Sequence, residues 1–379
     1  MSKIPKLRFS EFSGDWEEKE LKETSIINPK TKELPNKFIY IDLESVEKGL
    51  LVKSNEIIKD EAPSRAQRLL SINDILFQTV RPYQKNNYFF KLDGEYVAST
   101  GYAQIRANES SEFLYQKLHT DNFVNKVLLR CTGTSYPAIN STDLSKIRIY
   151  ISGKQEQEKI ASFLTSIDTK IEQLTKKETL LQEYKKGVMN KIFNQEIRFK
   201  ADDGSEFPEW EEKRLGDIGK FSAGGDLNKL EYSKEKCEKY FYPIYANGAG
   251  EGLYGFATTF QYKTNCVTVS GRGNLGYANL RKENFNAIVR LIVIEPKSNI
   301  CSSFLKEIIN NINFAIESTG VPQLTVPQIS LYKAFFPCIQ EQTKIANFLS
   351  SIDKKIELTT KELNSTKEFK KALLQQMFV

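Results

Sequence analysis

Three glycines in SGRGNLG, Gly271, Gly273 and Gly276, stand in the G-x-G-x-x-G spacing that cradles a dinucleotide pyrophosphate. The strand-like CVTVS (266–270) precedes them. The residues after them, YANLRKENFNAIVRLIVI, open no helix, and that chemistry needs the pyrophosphate on a helix N-terminus. A hairpin with Arg272 and Asn274 at its tip fits better, and such a tip suits a DNA groove as well as it suits an ordinary turn. FQTVRPYQKNNYFF (77–90) gathers Arg81, Tyr83, Gln84, Lys85, Asn86 and Asn87 around Pro82. Arg, Gln and Asn read base edges, while Lys and Tyr suit phosphates. A solvated loop is the plain alternative. IYANGAGEGLYG (244–255) is a third loop of this kind, with Asn247 among glycines.

Catalytic groups are scarce. His119 is the only histidine, which argues against most zinc sites and against Ser–His or Cys–His nucleophiles. It sits in YQKLHTDNF and reads as a satisfied or surface side chain. Cys131, Cys237, Cys266, Cys301 and Cys338 form no C-x-x-C pair, so a reduced, cytoplasmic setting is expected. No G-x-x-x-x-G-K-[ST] loop is present, and NNYFF lacks both prolines of the Asn/Asp-Pro-Pro-Tyr/Phe motif of amino-methylating DNA methyltransferases. The carboxylates form no nuclease-like metal cluster. No catalytic residue and no metal site are expected, only readers.

The composition permits this. The chain has 379 residues, enough for two domains, and 40% are hydrophobic. Net charge is +6, which allows nucleic-acid binding without requiring it. No apolar run approaches the roughly 20 residues of a membrane span, and MSKIPKLRFSEF has no signal-like apolar core.

The elements that must position the loops are written twice. QEQEKIASFLTSIDTKIEQLTKK (155–177) returns as QEQTKIANFLSSIDKKIELTTKE (340–362), 185 residues later. Ile160, Ile167, Leu174, Leu181 and Val188 recur every seven residues, with Leu164 and Ile171 between, and Glu178 and Lys185 interrupting. This heptad stripe predicts one helix over about 155–193. Ile345, Ile352 and Leu373, with Leu349, Ile356, Leu363 and Met377, draw a weaker stripe in the second copy. Two such helices are expected to pack antiparallel within the chain. The duplication extends outward. DWEEKELKE (15–23) matches EWEEKRLGD (209–217), KLRF (6–9) matches EIRF (196–199), and a Thr-Gly turn precedes each helix (131–140 and 318–327). The bodies between, 24–130 and 218–317, share little sequence. DILFQTV (74–80), CVTVS and IVRLIVI (288–294) read as strands; 110–129 and 302–318 read as Ser-capped helices. An α+β body is expected twice, on an internal pseudo-two-fold repeat.

These pieces resemble the specificity subunit of type I restriction–modification systems over essentially the full length. The doubled Q-E-Q-x-K-I-A-x-F-L-x-S-I-D-x-K-I-E carries the resemblance most specifically. One departure is local: Pro337 precedes the second copy as the family often has it, while the first reads IYISGKQEQ. The resemblance implies two globular, mixed α/β target-recognition domains (1–153 and 194–339), joined by a central spacer helix (154–193) and a C-terminal one (340–379). Each domain would read one half of a bipartite duplex DNA target, with the coiled-coil-like helices setting the gap. Two modification subunits would carry adenine methylation with S-adenosylmethionine. Two restriction subunits, where present, would add ATP- and Mg2+-dependent steps. No cofactor is implied for this chain. Ile160, Phe163, Leu164, Ile167, Ile171, Ile345, Phe348, Leu349, Ile352 and Ile356 are candidates for docking partners or for holding the helix pair together. A coiled-coil protein-interaction scaffold with two divergent binding heads is the competing reading.

Overall fold

The computed structural model describes residues 3–247, 250–315 and 322–379. They form two compact units: Met1–Lys176 with Thr360–Val379, and Lys177–Thr359. Each unit holds one globular body and a part of each of two long helices, Lys154–Phe193 and Ile339–Gln376.

The heptad stripes close each unit from within. In unit 1, Ile160, Leu164 and Ile167 share a core with Leu373, Met377 and Phe378. In unit 2, Val188, Ile192 and Phe193 lie with Ile345, Leu349 and Ile352. Early residues of one helix thus meet late residues of the other, which is the antiparallel pairing predicted. Each fully buried Ile or Leu contributes about 1.5–3 kcal/mol relative to exposure. Lys185 interrupts the stripe because it is ion-paired: its Nζ lies 2.7 Å from Asp353 Oδ1 and 3.2 Å from Glu307 Oε2. The same pairing recurs in unit 1, where Lys370 Nζ lies 2.5 Å from Asp168 Oδ1. Lys370 and Asp353 follow Lys185 and Asp168 by the repeat offset of 185 residues. The duplication therefore runs the length of both helices, beyond the segment legible in the sequence.

The two bodies share a scaffold despite their divergent sequences. In body 1 the antiparallel core sheet runs Ser25–Ile27, Tyr102–Ala107, Ile75–Gln78, Tyr88–Phe89. In body 2 it runs Gly219–Ala223, Ile292–Pro296, Cys266–Val269, Ala278–Arg281. A second four-stranded sheet in each contains one parallel pair, Lys37–Ile41 with Tyr96–Ser99 in body 1 and Tyr242–Tyr245 with Asn286–Ala287 in body 2. Apolar strands such as ILFQ and CVTV are buried throughout, as suits central strands covered on both faces. The Trp-Glu-Glu stretches form strands Glu17–Glu20 and Glu211–Arg214. These pair with Arg148–Ile151 and Lys333–Phe336, the strands that lead into the long helices.

Three predicted elements are corrected. The helix expected over 110–129 is two, Ser111–Leu118 and Asp121–Leu128. Thr120 turns extended and its hydroxyl accepts from Phe123 N at 3.2 Å, capping a new helix. The helix expected over 302–318 ends at Asn310, its N-cap is Cys301 with no side-chain cap, and 316–318 lie outside the described residues. The strand expected over 288–294 starts only at Ile292, because Val289 and Arg290 take φ of 53° and 58°. Of the two Thr-Gly turns, the first has Gly133 at φ 88°; Thr319 and Gly320 of the second lie outside the described residues.

Candidate nucleic-acid interface

The repeated Q-E-Q fixes each body to its helix. Glu156 is buried and accepts from Arg8 Nε and Nη2, both at 2.8 Å, and from Trp16 Nε1 at 3.4 Å. Glu341 is buried in the same way, accepting from Arg198 Nε (3.2 Å), Arg198 Nη2 (3.0 Å) and Trp210 Nε1 (3.2 Å). Hydrogen bonding to these carboxylates raises the pKa of both arginines. Gln157 and Gln342 donate to Ser152 O (2.7 Å) and Pro337 O (2.8 Å), tying each helix start to the strand before it. Phe9 and Phe199 then pack edge-on against Phe163 and Phe348. The KLRF and EIRF repeats were visible in the sequence, but their role as the cationic half of these docks was not. Ile160, Leu164, Ile167, Ile345, Leu349 and Ile352 are buried within their own units, and Phe163, Ile171, Phe348 and Ile356 partly so.

In body 1 the loop after the central strand Ile75–Gln78 meets the Thr-Gly turn. Arg81 N donates to Pro137 O at 2.8 Å, and the Arg81 guanidinium lies 4.2 Å from the Tyr136 ring centre. Arg81 and Lys85 both hold left-handed φ of 54°, bracketing the 3-10 turn Pro82–Gln84. Tyr83 and Tyr136 are exposed, at 50% and 62%. Other candidates serve the loop itself. Gln84 Oε1 accepts from Gln78 Nε2 at 2.9 Å, and Asn86 Oδ1 accepts from Lys48 N at 3.1 Å. Lys85 Nζ donates to His119 O (2.9 Å) and Asp121 Oδ1 (2.5 Å), and that hydrogen bond lowers the Asp121 pKa. Asn87 is buried and accepts from Gln78 N at 2.9 Å. His119 is a satisfied structural histidine behind it. Arg81, Tyr83 and Tyr136 are left facing solvent, and Tyr136 was not singled out in the sequence.

In body 2 the glycine-rich segment is a hairpin loop, joining Cys266–Val269 to Ala278–Arg281 with Val269 opposite Ala278. Gly276 needs to be glycine: its φ is 78°, and a Cβ there would stand 2.3 Å from Phe314 Cδ2. Asn247 is committed internally, accepting from Gly271 N at 2.8 Å and donating to Val289 O at 2.5 Å. Arg272 Nη2 donates to Gln323 Oε1 at 3.2 Å. Asn274 is exposed at the tip. Buried Arg281 lies 3.5 Å from the Tyr245 ring centre and donates to Thr268 Oγ1 (2.9 Å) and Glu251 O (2.8 Å), holding Glu251 in place. In both bodies the loop after the same central strand, carrying an arginine, meets the segment that follows the Thr-Gly pair in sequence. Leu324 N donates to Gly271 O and Ile139 N donates to Thr79 O, at 2.9 and 3.0 Å.

Among the described residues no group of three or more His, Cys, Asp or Glu could hold a metal ion, and the five cysteines are unpaired. No helix among them is long and apolar enough to cross a membrane.

The chain matches the family model for the type I restriction modification DNA specificity domain twice, over residues 13–182 and 208–368. It belongs to the type I restriction–modification specificity subunits. It is 28% identical over 296 residues to a type I specificity subunit of Mycoplasma pneumoniae, covering 74% of this chain and 78% of that one. The crystal structure of a type I S subunit from M. genitalium superposes with a TM-score of 0.66 at 19% identity, covering 99% of both chains. A structure concerned with complex assembly and conformational transition of the type I R-M system superposes at 0.54 with 22% identity, covering 96% and 97%. Both superpositions establish the fold. A specificity subunit is the non-catalytic member of its complex, in keeping with a sequence that offers loops and no nucleophile.

Proposed function

We propose that each body reads one half of a bipartite duplex target and that the helix pair sets the unread gap between the halves. The observation that carries this reading is the shared scaffold. Two bodies whose core sheets have equal topology, on a repeated helix frame, share little sequence and carry different loops after the same central strand. Divergent loops on a constant frame are what two different half-sites require. Arg81, Tyr83 and Tyr136 of body 1, and Arg272 and Asn274 of body 2, are the side chains assigned to DNA. Lys85, Gln84, Asn86 and Asn247 hold the loops in shape. Linking two weak readers raises affinity through effective concentration. Two modification subunits would dock on the helices and methylate adenine with S-adenosylmethionine, and restriction subunits would add ATP- and Mg2+-dependent work, in the cytoplasm.

Because the helices pair antiparallel, lengthening the frame needs one heptad in each, between 176 and 177 and between 359 and 360. Seven residues add about 10 Å, or about three base pairs of rise. Methylome sequencing of cells carrying this variant should return both original half-sites with the gap widened by about three base pairs. Altered half-sites, or an unchanged gap, would refute the frame as a passive ruler.

A further inference from the structure

The connection between Asn286–Ala287 and Ile292–Pro296 in body 2 is built unlike an ordinary loop. Ile288 and Leu291 are buried and anchor its two sides, while Val289 and Arg290 between them are exposed. Both exposed residues hold left-handed φ, 53° and 58°. A β-branched residue rarely adopts that conformation, and two consecutive non-glycine residues there mark a turn over-determined by its surroundings. The surroundings are visible. Arg290 N donates to Gly224 O and Val289 N to Gly225 O, both at 2.9 Å, and Gly224 N donates to Leu291 O at 2.8 Å. A Cβ at Gly224 would stand 2.6 Å from Ala287 C, so glycine permits this close approach. The Asn247 side chain holds Val289 O from the other side, at 2.5 Å.

The turn lies against the hairpin loop already assigned to DNA. Asn247 bridges the two, and a Cβ at Gly271 would stand 3.4 Å from Arg290 O. The two arginines on this edge are not equally available. Arg272 donates to Gln323, and its Nε is buried without a partner. The Arg290 side chain has no partner among the described residues and stands on a fixed backbone in solvent.

We propose that the Val289–Arg290 turn is a specificity element of body 2, in which Arg290 reads a guanine edge in the major groove of the half-site. This rests on the proposed reading of body 2 as a half-site reader. A planar guanidinium matches guanine O6 and N7 bidentately, a contact that a rigid, preset turn places without ordering a flexible loop. The test uses the full chain assembled with its modification subunit and a random-sequence duplex DNA pool. Arg290→Ala should bind the duplex selected by the unaltered complex about 5- to 150-fold more weakly. One guanine position in the body 2 half-site should become degenerate, with the body 1 half-site unchanged. Arg290→Lys, which keeps charge but loses the fork, should leave that guanine preference lost. Since Arg290 has no side-chain partner among the described residues, both variants should melt at the temperature of the unaltered chain. An unchanged motif and affinity in Arg290→Ala would overturn the proposal alone. So would a uniform loss of affinity with an unchanged motif and a shallower salt dependence, the mark of a phosphate contact. An unaltered complex that selects no two-part motif would overturn the half-site reading itself, and the proposal with it.

Discussion

Acid should loosen loop 81–87 of body 1 through one side chain. His119 Nδ1 lies 2.8 Å from Tyr115 O and donates to it, which leaves Nε2 as the acceptor facing the Asn87 amide at 3.5 Å. Asn87 cannot turn away, because its Oδ1 accepts from Gln78 N. A protonated imidazole would set a donor against a donor. Burial foremost, with Lys370 and Lys85 nearby, pushes the His119 pKa down to about 4. The unfolded chain therefore holds the proton more readily between about pH 4 and 6.5. The contribution is present above about pH 6.5 and is lost as pH falls toward 4; between pH 7 and pH 5 it amounts to about 2 kcal/mol. His119 is the only imidazole in the chain, so NMR follows its titration without overlap. Guanidinium melts at pH 7 and pH 5 would compare the chain with His119→Asn, which keeps a donor for Tyr115 O but does not titrate. The unaltered chain should lose about 2 kcal/mol more than the variant on acidification. An imidazole midpoint near 6.5, or equal acid sensitivity in both proteins, would refute the reasoning. Lys85, which donates to His119 O, ties the effect to loop 81–87.

Three further predictions concern the frame. Glu341→Ala and Glu156→Ala each strand an arginine and a tryptophan N–H, and should each cost about 3–5 kcal/mol in guanidinium unfolding; a loss under about 1 kcal/mol would mean that the aromatic packing alone holds the dock. A double-mutant cycle on Lys185 and Asp353 should give a coupling of about 1 kcal/mol, since Asp353 is partly solvated. Lys185→Ala should also cost more than Lys370→Ala, because it leaves buried Glu307 to Lys306 alone (Nζ to Oε1, 2.7 Å), whereas the corresponding neighbour of Asp168 is the neutral Gln116 (Gln116 Nε2 donates to Asp168 Oδ2 at 2.6 Å).

The frame was legible because repetition and a seven-residue period are one-dimensional signals. Ile160 and Ile167 announce their helix without any knowledge of what covers them. The hairpin at 270–277 was legible too, since no helix followed its glycines. The shared topology of the bodies was not, because a sheet order arises from pairings between distant segments, such as Cys266–Val269 with Ile292–Pro296, that leave no period. Individual loop residues were read from type alone, and type did not separate Asn274, which is exposed, from Asn247, which is bound on both sides. Arg290 hid inside an apolar run, IVRLIVI, whose composition suggests a strand. Only the backbone contacts to Gly224 and Gly225 break that run into a turn.

The 185-residue repeat offset has a genetic consequence. A crossover between the coding segments for 155–177 and 340–362 stays in frame and deletes one body with one helix's worth of chain. The product retains body 1 and a single hybrid helix that begins as the first and ends as the second. Those are the parts that unit 1 contains, including Asp168 or its counterpart Asp353, Lys370 and the aromatic end Phe378. One helix of the pair is missing, and a second copy of the same product carries its equivalent. On the half-site reading proposed above, recombination at this locus would thus exchange two different heads on a repeated frame for two identical ones, and a target of two different halves for one of two equal halves.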